Sequence, residues 1–459
     1  MMYDYDLAVV GSGGAAFAAA IEASRLDARV VLIERATVGG TCVNIGCVPS
    51  KMLLAAAHTY HHAASHPFAG VATQVGSVDL LALIAQKNEL IAEMRQHKYV
   101  DLAAHYGFEI VHDEARFKDA DTLVTGDREL QARTYVIATG ADPAIPALPG
   151  LHEAGYLTST TAMEQTSVPK RLITIGGGFV GLEQSQLWAR LGAQVTIIGR
   201  LAPRAEPELA SRLRQILIDE GIRVINARAT AVEQQGDTRI VHTDRGSAVE
   251  GDAILVATGR QARVDALELS AAGVELDDRG FIKVDDEART SNPKVFAAGD
   301  VTGGSQFVYV AAAQGHVAAH NALRGTHEMV DYTGLPDVIF TDPQLAKAGL
   351  TEAEALAAGY QCECRLLDLS YVPRALVDHD TRGAIKLVAD RTSGKILGVH
   401  ALADGAGDLI LAGVYAIRSG LTVNDLATTW APYLTMSEAL RLVAQSFTTP
   451  VDELSCCAA

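Results

Sequence analysis

Residues 4–35 read "DYDLAVVGSGGAAFAAAIEASRLDARVVLIER": an apolar run ending at Val10, a glycine-rich turn, an alanine-rich stretch, then a second apolar run, "RVVLIE". A short apolar run before a glycine turn reads as a strand, and the alanine-rich stretch after it reads as a helix. Gly11, Gly13 and Ala16 match the pattern G-x-G-x-x-G/A, and Glu34 falls at the end of the second strand. In that position an acid can accept a hydrogen bond from a ribose 2′-hydroxyl. A glycine pattern alone says little. Set in a strand–turn–helix–strand unit with the acid at the right distance, it predicts a dinucleotide-binding fold.

The unit recurs at residues 170–200, "KRLITIGGGFVGLEQSQLWARLGAQVTIIGR", with Gly176, Gly178 and Gly181 in the matching positions. Counting 23 residues on from the first glycine reaches Glu34 in the first copy and Gly199 in the second. The second copy thus lacks the acid and carries Arg200 and Arg204 nearby, an arrangement that accommodates a 2′-phosphate and predicts NADPH. Strand ends at "YVIATGADPAIP" (135–146) and "ILVATGRQAR" (254–263) close the two units. A further strand end, "TSNPKVFAAGDV" (290–301), presents Asp300, which reads either as a ligand for a cofactor's hydroxyls or as a helix N-cap. From about residue 336, strands such as "AIKLVAD" and "ILGVHAL" alternate with the helical stretches "GDLILAGVYAIRSG" and "MSEALRLVAQSF", as in a separate α+β domain, with "HEMVDY" (327–332) as the linker into it.

The chain has 459 residues, too many for one hydrophobic core, and 49% hydrophobic with 20% charged residues is the profile of a folded globular protein. A formal charge of −17 argues against nucleic acid as a partner. No apolar run approaches the ~18 residues of a membrane span, and no basic segment followed by an apolar one precedes the first motif. The expectation is a cytoplasmic protein. Six cysteines stand at 42, 47, 362, 364, 456 and 457, a spacing that in such a chain points to metal or redox chemistry.

Cys42 and Cys47 lie in "GGTCVNIGCVPSK" (39–51). On one regular helix they would be separated by about 7.5 Å of rise and about 140° of rotation, too far for a disulfide, whose Cα atoms lie ~4.4–6.8 Å apart. Gly46 and Pro49 are the residues expected to break that regularity, and a helix N-terminus beside a thiol favours thiolate.

"GGTCVNIGCVPSK", the two dinucleotide units and "TSNPKVFAAGD" together resemble the FAD-dependent pyridine nucleotide–disulfide oxidoreductases along essentially the whole chain. The resemblance implies an α/β protein with two Rossmann-like domains and a C-terminal α+β dimerisation domain. Residues 1–140 with 266–335 would bind FAD, 141–265 would bind NADPH, and 336–459 would form the dimer. Gly40 and Thr41, Thr139 and Gly140, and Gly259 join Gly11, Gly13, Ala16, Glu34 and Asp300 as expected cofactor contacts. Cys47 would lie against the flavin, Cys42 would be the outer thiol, and Lys51, paired with Glu183, would sit near the flavin N5.

Disulfide reductases of this family carry a C-terminal H-P-T-x-S-E segment whose histidine protonates the leaving thiol, whereas "PYLTMSE" (432–438) has Tyr433 there. A phenol with a pKa of about 10 exchanges protons poorly with thiols at neutral pH. Tyr433, the terminal "LSCCA", "VPRAL" (372–376), "DTRG" (380–383) and "FVYVAAA" (307–313) together resemble the mercuric reductases. That resemblance implies a homodimer with shared sites, in which Cys456 and Cys457 take Hg(II) from small thiols and pass it to the partner's Cys42 and Cys47. Tyr99 and Tyr433 would be the two tyrosines that assist the bound metal, and Hg(II) would be the substrate. The first strand begins at residue 5, so capture is expected to fall to the C-terminal pair, without an N-terminal heavy-metal-associated domain. The alternatives are a disulfide reductase of the dihydrolipoamide dehydrogenase type and a flavoprotein that binds Hg(II) without turning it over. His58, His61, His62 and His66 are expected on a solvated helix face, and Cys362 and Cys364 on one side of a strand.

Overall fold

Both glycine turns follow strands too apolar to lie anywhere but in a core. Tyr5–Val10 is buried from Leu7 onward, and Arg171–Ile175 is buried from Leu172 onward. Strands buried on both faces belong in parallel sheets that are covered on both sides. The computed structural model, which describes residues 3–454, places them so. One five-stranded parallel sheet runs in the order Val295–Ala297, Ala132–Ile137, Tyr5–Val10, Val30–Ile33, Glu109–Val111. A second parallel sheet, Arg223–Ile225, Gln194–Ile198, Arg171–Ile175, Ala253–Val256, repeats the arrangement around the second turn. The third large sheet is antiparallel and lies wholly beyond residue 335, from Pro336–Ile339 through Gln344–Gly349, Ile396–Ala403 and Ala384–Asp390 to Cys362–Asp368. In each of the two parallel-sheet units helices cover one face of the sheet and a three-stranded antiparallel sheet covers the other. That covering sheet is Ala115–Phe117, Leu123–Thr125 and Arg128–Leu130 in the first unit and Ala229–Gln235, Thr238–Thr243 and Ala248–Gly251 in the second. With the mixed C-terminal unit they make an α/β molecule.

The helix Gly14–Arg25 covers the first sheet together with Val308–Arg324, and alanine makes their close approach possible. Ala15, Ala16, Ala19, Ala20 and Ala23 are all buried, and a Cβ at Gly315 would stand 2.1 Å from the carbonyl oxygen of Ala15. The helix Cys47–Ala64 sits at the junction of the three large sheets. Its Leu53, Leu54 and Ala57 pack in one cluster with Leu182 and Trp188 of the second unit and Ile339, Leu345 and Leu402 of the C-terminal one. A fully buried leucine stabilises by ~1.5–3 kcal/mol, so this contact holds the cysteine-bearing helix against both neighbours. Cys362 and Cys364 share the strand Cys362–Asp368, as expected. No described helix is long and apolar enough to cross a membrane.

Candidate active site

The stretch carrying the first two cysteines folds as two helices. Gly40–Ile45 stops at Gly46, whose backbone turns to φ −126° and ψ −106°, and Cys47 opens the eighteen-residue helix Cys47–Ala64. That break removes the separation a single helix would impose: the Cys42 and Cys47 sulfurs share a hydrogen bond. The bond divides the two thiols chemically. Cys47 is lowered to about 7, first because Cys42 donates to its sulfur and then because Lys51 lies close, while burial opposes the shift. Cys42 is pushed well above the ordinary thiol range by the same hydrogen bond and by burial. Of the two thiols, Cys47 is thus the one that ionises more readily, and Cys42 the one that holds its proton. Both line one cavity of about 1340 Å³, so the exposure of Cys47 is exposure to that cavity.

Lys51 stands one turn along from Cys47. Its Nζ is 2.8 Å from Glu183 Oε2 and 4.5 Å from the centre of the Phe340 ring. The other oxygen of Glu183 accepts from the Phe340 backbone N–H at 3.0 Å. The expected Lys51–Glu183 pair is therefore formed, and it joins the cysteine-bearing helix to both other units. On the opposite side, Asn44 donates to the carbonyls of Gly40 and Val38 at 2.9 and 3.0 Å and accepts from Arg95 at 3.1 Å. Arg95 ends the helix Leu80–Arg95, and the chain continues through a π-helical turn, Gln96–Val100. Such turns inside helices recur at functional sites. Here the turn carries Tyr99, packed edge-on against Phe17 with ring centres 4.7 Å apart. The Tyr99 phenol is pushed up to about 12, first by burial and then by the neighbouring Cys42 and Cys47 sulfurs.

The first glycine turn and the strand ends beside it form one arm of the same cavity, lined by Gly11, Gly13, Glu34, Gly40, Thr41, Thr139, Gly140 and Asp300. The Glu34 carboxylate is held in place by the Ser12 hydroxyl at 2.5 Å and the Ala36 N–H at 2.8 Å. Gly40 has φ +65°, and a Cβ there would lie 2.5 Å from the Cα of Gly13. The two glycine backbones therefore lie in direct contact at the cavity wall, where a bound pyrophosphate can approach main-chain N–H groups without meeting a side chain. Ala16 lies buried beneath the turn. Asp300 begins a short 3-10 helix and faces Arg260 Nε at 3.4 Å, while burial raises its carboxyl. The glycine wall and the acid fit FAD.

The other arm is lined by Gly176, Gly178, Arg200, Arg204 and Gly259, with Gly181 buried in the helix behind. Arg200 and Arg204 are exposed to the cavity, and among the described residues neither side chain forms an ion pair. The two cations fit the phosphorylated ribose of NADPH.

Sequence reasoning missed several residues. Tyr309 lines the cavity, donates to the Pro336 carbonyl at 2.5 Å and stacks on Phe307, which in turn meets Phe179. Burial pushes the Tyr309 phenol up, and Asp337 and then Cys47 add to the shift. The only signal for it was a tyrosine opening an alanine-rich helix. The histidine stretch also departs from expectation. His58 is held down to about 4, first by burial and then by Arg190, and His62 meets Asp342 at 3.2 Å. That face leans on an ion network, with Arg190 bonded to Asp342 at 2.7 Å and to Glu220 at 2.8 Å.

Tyr433 does not line the cavity of its own chain. It stands in an exposed turn with Trp430, ahead of the helix Glu438–Gln445. Glu438 is only 1% exposed and meets Arg441 at 3.4 Å. Cys456 and Cys457 lie outside the described residues.

Two nucleotide arms meeting at an asymmetric thiol pair define a flavin-linked oxidoreductase, and comparison with known proteins agrees. The pyridine nucleotide-disulphide oxidoreductase family matches residues 5–315, and its dimerisation domain matches residues 335–444. The chain belongs to this family and is an FAD-dependent oxidoreductase that uses NAD(P)H. It is 49% identical to the mercuric reductase of Streptomyces lividans over 99% of this chain and 98% of that protein. It is 47% identical to that of Bacillus cereus over 99% of this chain and 73% of the relative. Among solved structures it is similar to the HOCl-induced flavoprotein disulfide reductase RclA of Escherichia coli, with a TM-score of 0.86 and 28% identity over 96% of this chain and 99% of that one.

Proposed function

We propose that the chain is a mercuric reductase, reducing Hg(II) to Hg(0) at the expense of NADPH in the cytoplasm. The observation that carries this reading is the pairing of a thiolate–thiol couple, Cys47 and Cys42, with phenols where a disulfide reductase needs an acid. Tyr99 lies within electrostatic reach of both sulfurs, Tyr433 occupies the acid's position in the sequence, and Glu438 is engaged by Arg441. A phenol pushed up to about 12, as at Tyr99, stays neutral at physiological pH and gives up its proton reluctantly. Hg(II) asks for soft ligands, and two cysteine sulfurs supply them.

The domain limits proposed are 1–140 with 266–335 for FAD, 141–265 for NADPH and 336–459 for dimerisation. FAD, when bound, relays two electrons between the nicotinamide and the metal site. Glu34, held by Ser12, accepts from a ribose hydroxyl, and Arg200 meets the 2′-phosphate. Lys51, fixed by Glu183, supplies positive charge beside Cys47. The substrate is an Hg(II)–dithiolate complex brought by small thiols. Cys456 and Cys457 exchange with its ligands one at a time, then hand the ion to Cys42 and Cys47 of the partner subunit, with Tyr433 from the tail's side of the interface. Overall, Hg(SR)2, NADPH and a proton give Hg(0), NADP+ and two thiols. A tethered pair keeps the effective thiol concentration high without releasing the ion.

Assaying NADPH oxidation with excess small thiol, with Hg(II) or lipoamide as acceptor, tests the reading. Hg(II)-dependent oxidation with little lipoamide turnover is expected, and the reverse preference would replace the reading with a general disulfide reductase. Mixing a Cys456→Ala/Cys457→Ala variant with a Cys42→Ala/Cys47→Ala variant tests the shared site. Heterodimers should regain up to about half of normal activity, because a two-fold interface leaves one site complete. Heterodimers that regain nothing would place the tail's action within its own chain.

A further inference from the structure

On the flank of the first unit, away from the cysteine pair, the helices Gly14–Arg25 and Val308–Arg324 bring together a group that the redox chemistry does not use. Glu22 is only 7% exposed, which is rare for a carboxylate without a cationic partner. Among the described residues, its ion-pair partners are imidazoles alone. His316 Nδ1 lies 3.2 Å from Oε2, and His320 Nδ1 lies 3.0 Å from Oε1. The two histidines are four residues apart on one helix and so share a face. One atom from each of the three side chains lies within 4.8 Å of the others. Donors bound tetrahedrally at ~2.0–2.1 Å from a single ion stand about 3.3 Å apart, close to the spacing already present between carboxylate and imidazoles.

A second observation points the same way. The far nitrogen of His320, Nε2, faces Glu328 Oε1 at 3.4 Å. A metal-bound histidine characteristically donates its other N–H to a carboxylate, which fixes the ring and makes the ligating nitrogen more basic. Glu328 follows the helix, which ends at Arg324, and Asn321 ties it back by donating to the Glu328 carbonyl at 2.9 Å.

We infer that Glu22, His316 and His320 form a binding site for a borderline divalent transition-metal ion such as Zn(II) or Co(II), distinct from the site that takes Hg(II). Two imidazoles and a carboxylate suit such ions, whereas Hg(II) follows thiolates. The half-exposed His316 leaves a side open for water as the remaining ligand. The ion clips together two helices whose opposite ends reach the cavity, one at the first glycine turn and the other at Tyr309.

The test is Co(II) titrated into the FAD-loaded enzyme with the Cys42–Cys47 pair oxidised and the remaining thiols alkylated. Calorimetry and cobalt-edge X-ray absorption read the outcome. One saturable equivalent with imidazole and oxygen ligands and no sulfur is expected. His316→Gln/His320→Gln should lose it while keeping its FAD content, and Glu328→Gln, at an exposed position, should weaken it by about 10- to 100-fold. No saturable binding to the unmutated enzyme, or equal affinity in it and in both variants, would overturn the inference.

Discussion

The two glycine turns share one backbone plan and differ in what that plan holds. In the first copy Ser12 bonds Glu34, and a hydroxyl-seeking carboxylate is the result. In the second copy both members of that pair are glycine, at positions 177 and 199. A Cβ at Gly177 would sit 2.5 Å from the Arg200 carbonyl, and Gly199 has φ +151°, where a side chain is strained. Acid and serine leave together, and the adjoining arginines face the cavity instead. The helices behind the turns diverge as well. Gly14–Arg25 buries alanine against one neighbouring helix, whereas Phe179–Arg190 buries Glu183, Gln184, Ser185, Gln186 and Arg190. Glu183 reaches Lys51, and Gln186 and Arg190 reach Asp342. The first copy is a self-contained cradle. The second is also the joint of the molecule.

The largest effect expected from that contrast is at Arg190. Arg190→Ala removes the buried cation between Asp342 and Glu220 and leaves them, among the described residues, only the more exposed His62 and Arg382 as ion-pair partners. Breaking a buried pair typically costs ~3–5 kcal/mol. Denaturation of the holoenzyme should show a loss on that scale. Enlarging a buried alanine of the first helix, as in Ala19→Leu, should cost only about 1–3 kcal/mol. Equal losses would mean that the second helix is no more of a joint than the first.

Next in size is the thiol pair set between the two arms. Cys47 should react with an alkylating agent along a curve centred near pH 7, because its thiolate forms as pH rises through that lowered value. Cys42→Ala removes the largest cause and should move the midpoint up toward the ordinary thiol range, slowing alkylation at pH 7 by tenfold or more, on the order expected from a shift of more than one unit. Lys51→Gln should move it in the same direction by less. A midpoint unchanged in Cys42→Ala would remove the hydrogen bond as the source of the asymmetry.

The exchange of Glu34 for arginine chemistry then predicts cofactor choice. Hydrogen bonds to a charged group contribute ~1.5–3 kcal/mol, so kcat/KM should favour NADPH over NADH by about 10- to 100-fold. Arg200→Glu should narrow or reverse that ratio. Equal kcat/KM for the two nucleotides in the unmutated enzyme would mean that the turns differ without consequence.

What could be read from the residues follows their separation along the chain. The strand–turn–helix units, Glu34 against Gly199, and the break at Gly46 are local, because glycine and apolar periodicity act over a few residues. Lys51–Glu183 came from resemblance, since nothing local joins residues 132 apart. Tyr309 and the Arg260–Asp300 contact escaped notice for the same reason. His58 was misplaced because the charges that act on it, Arg190, Asp342 and Glu220, come from three segments distant from its helix in the chain. An apolar–polar pattern within that helix does not show such a neighbour.

The most direct test is to collect mercury vapour while NADPH is consumed. With Hg(II) presented in excess small thiol, one Hg(0) should leave for each NADPH oxidised, and Cys42→Ala/Cys47→Ala should abolish the vapour. NADPH oxidation without Hg(0), or Hg(0) release that survives loss of both cysteines, would contradict reduction of mercury at this pair.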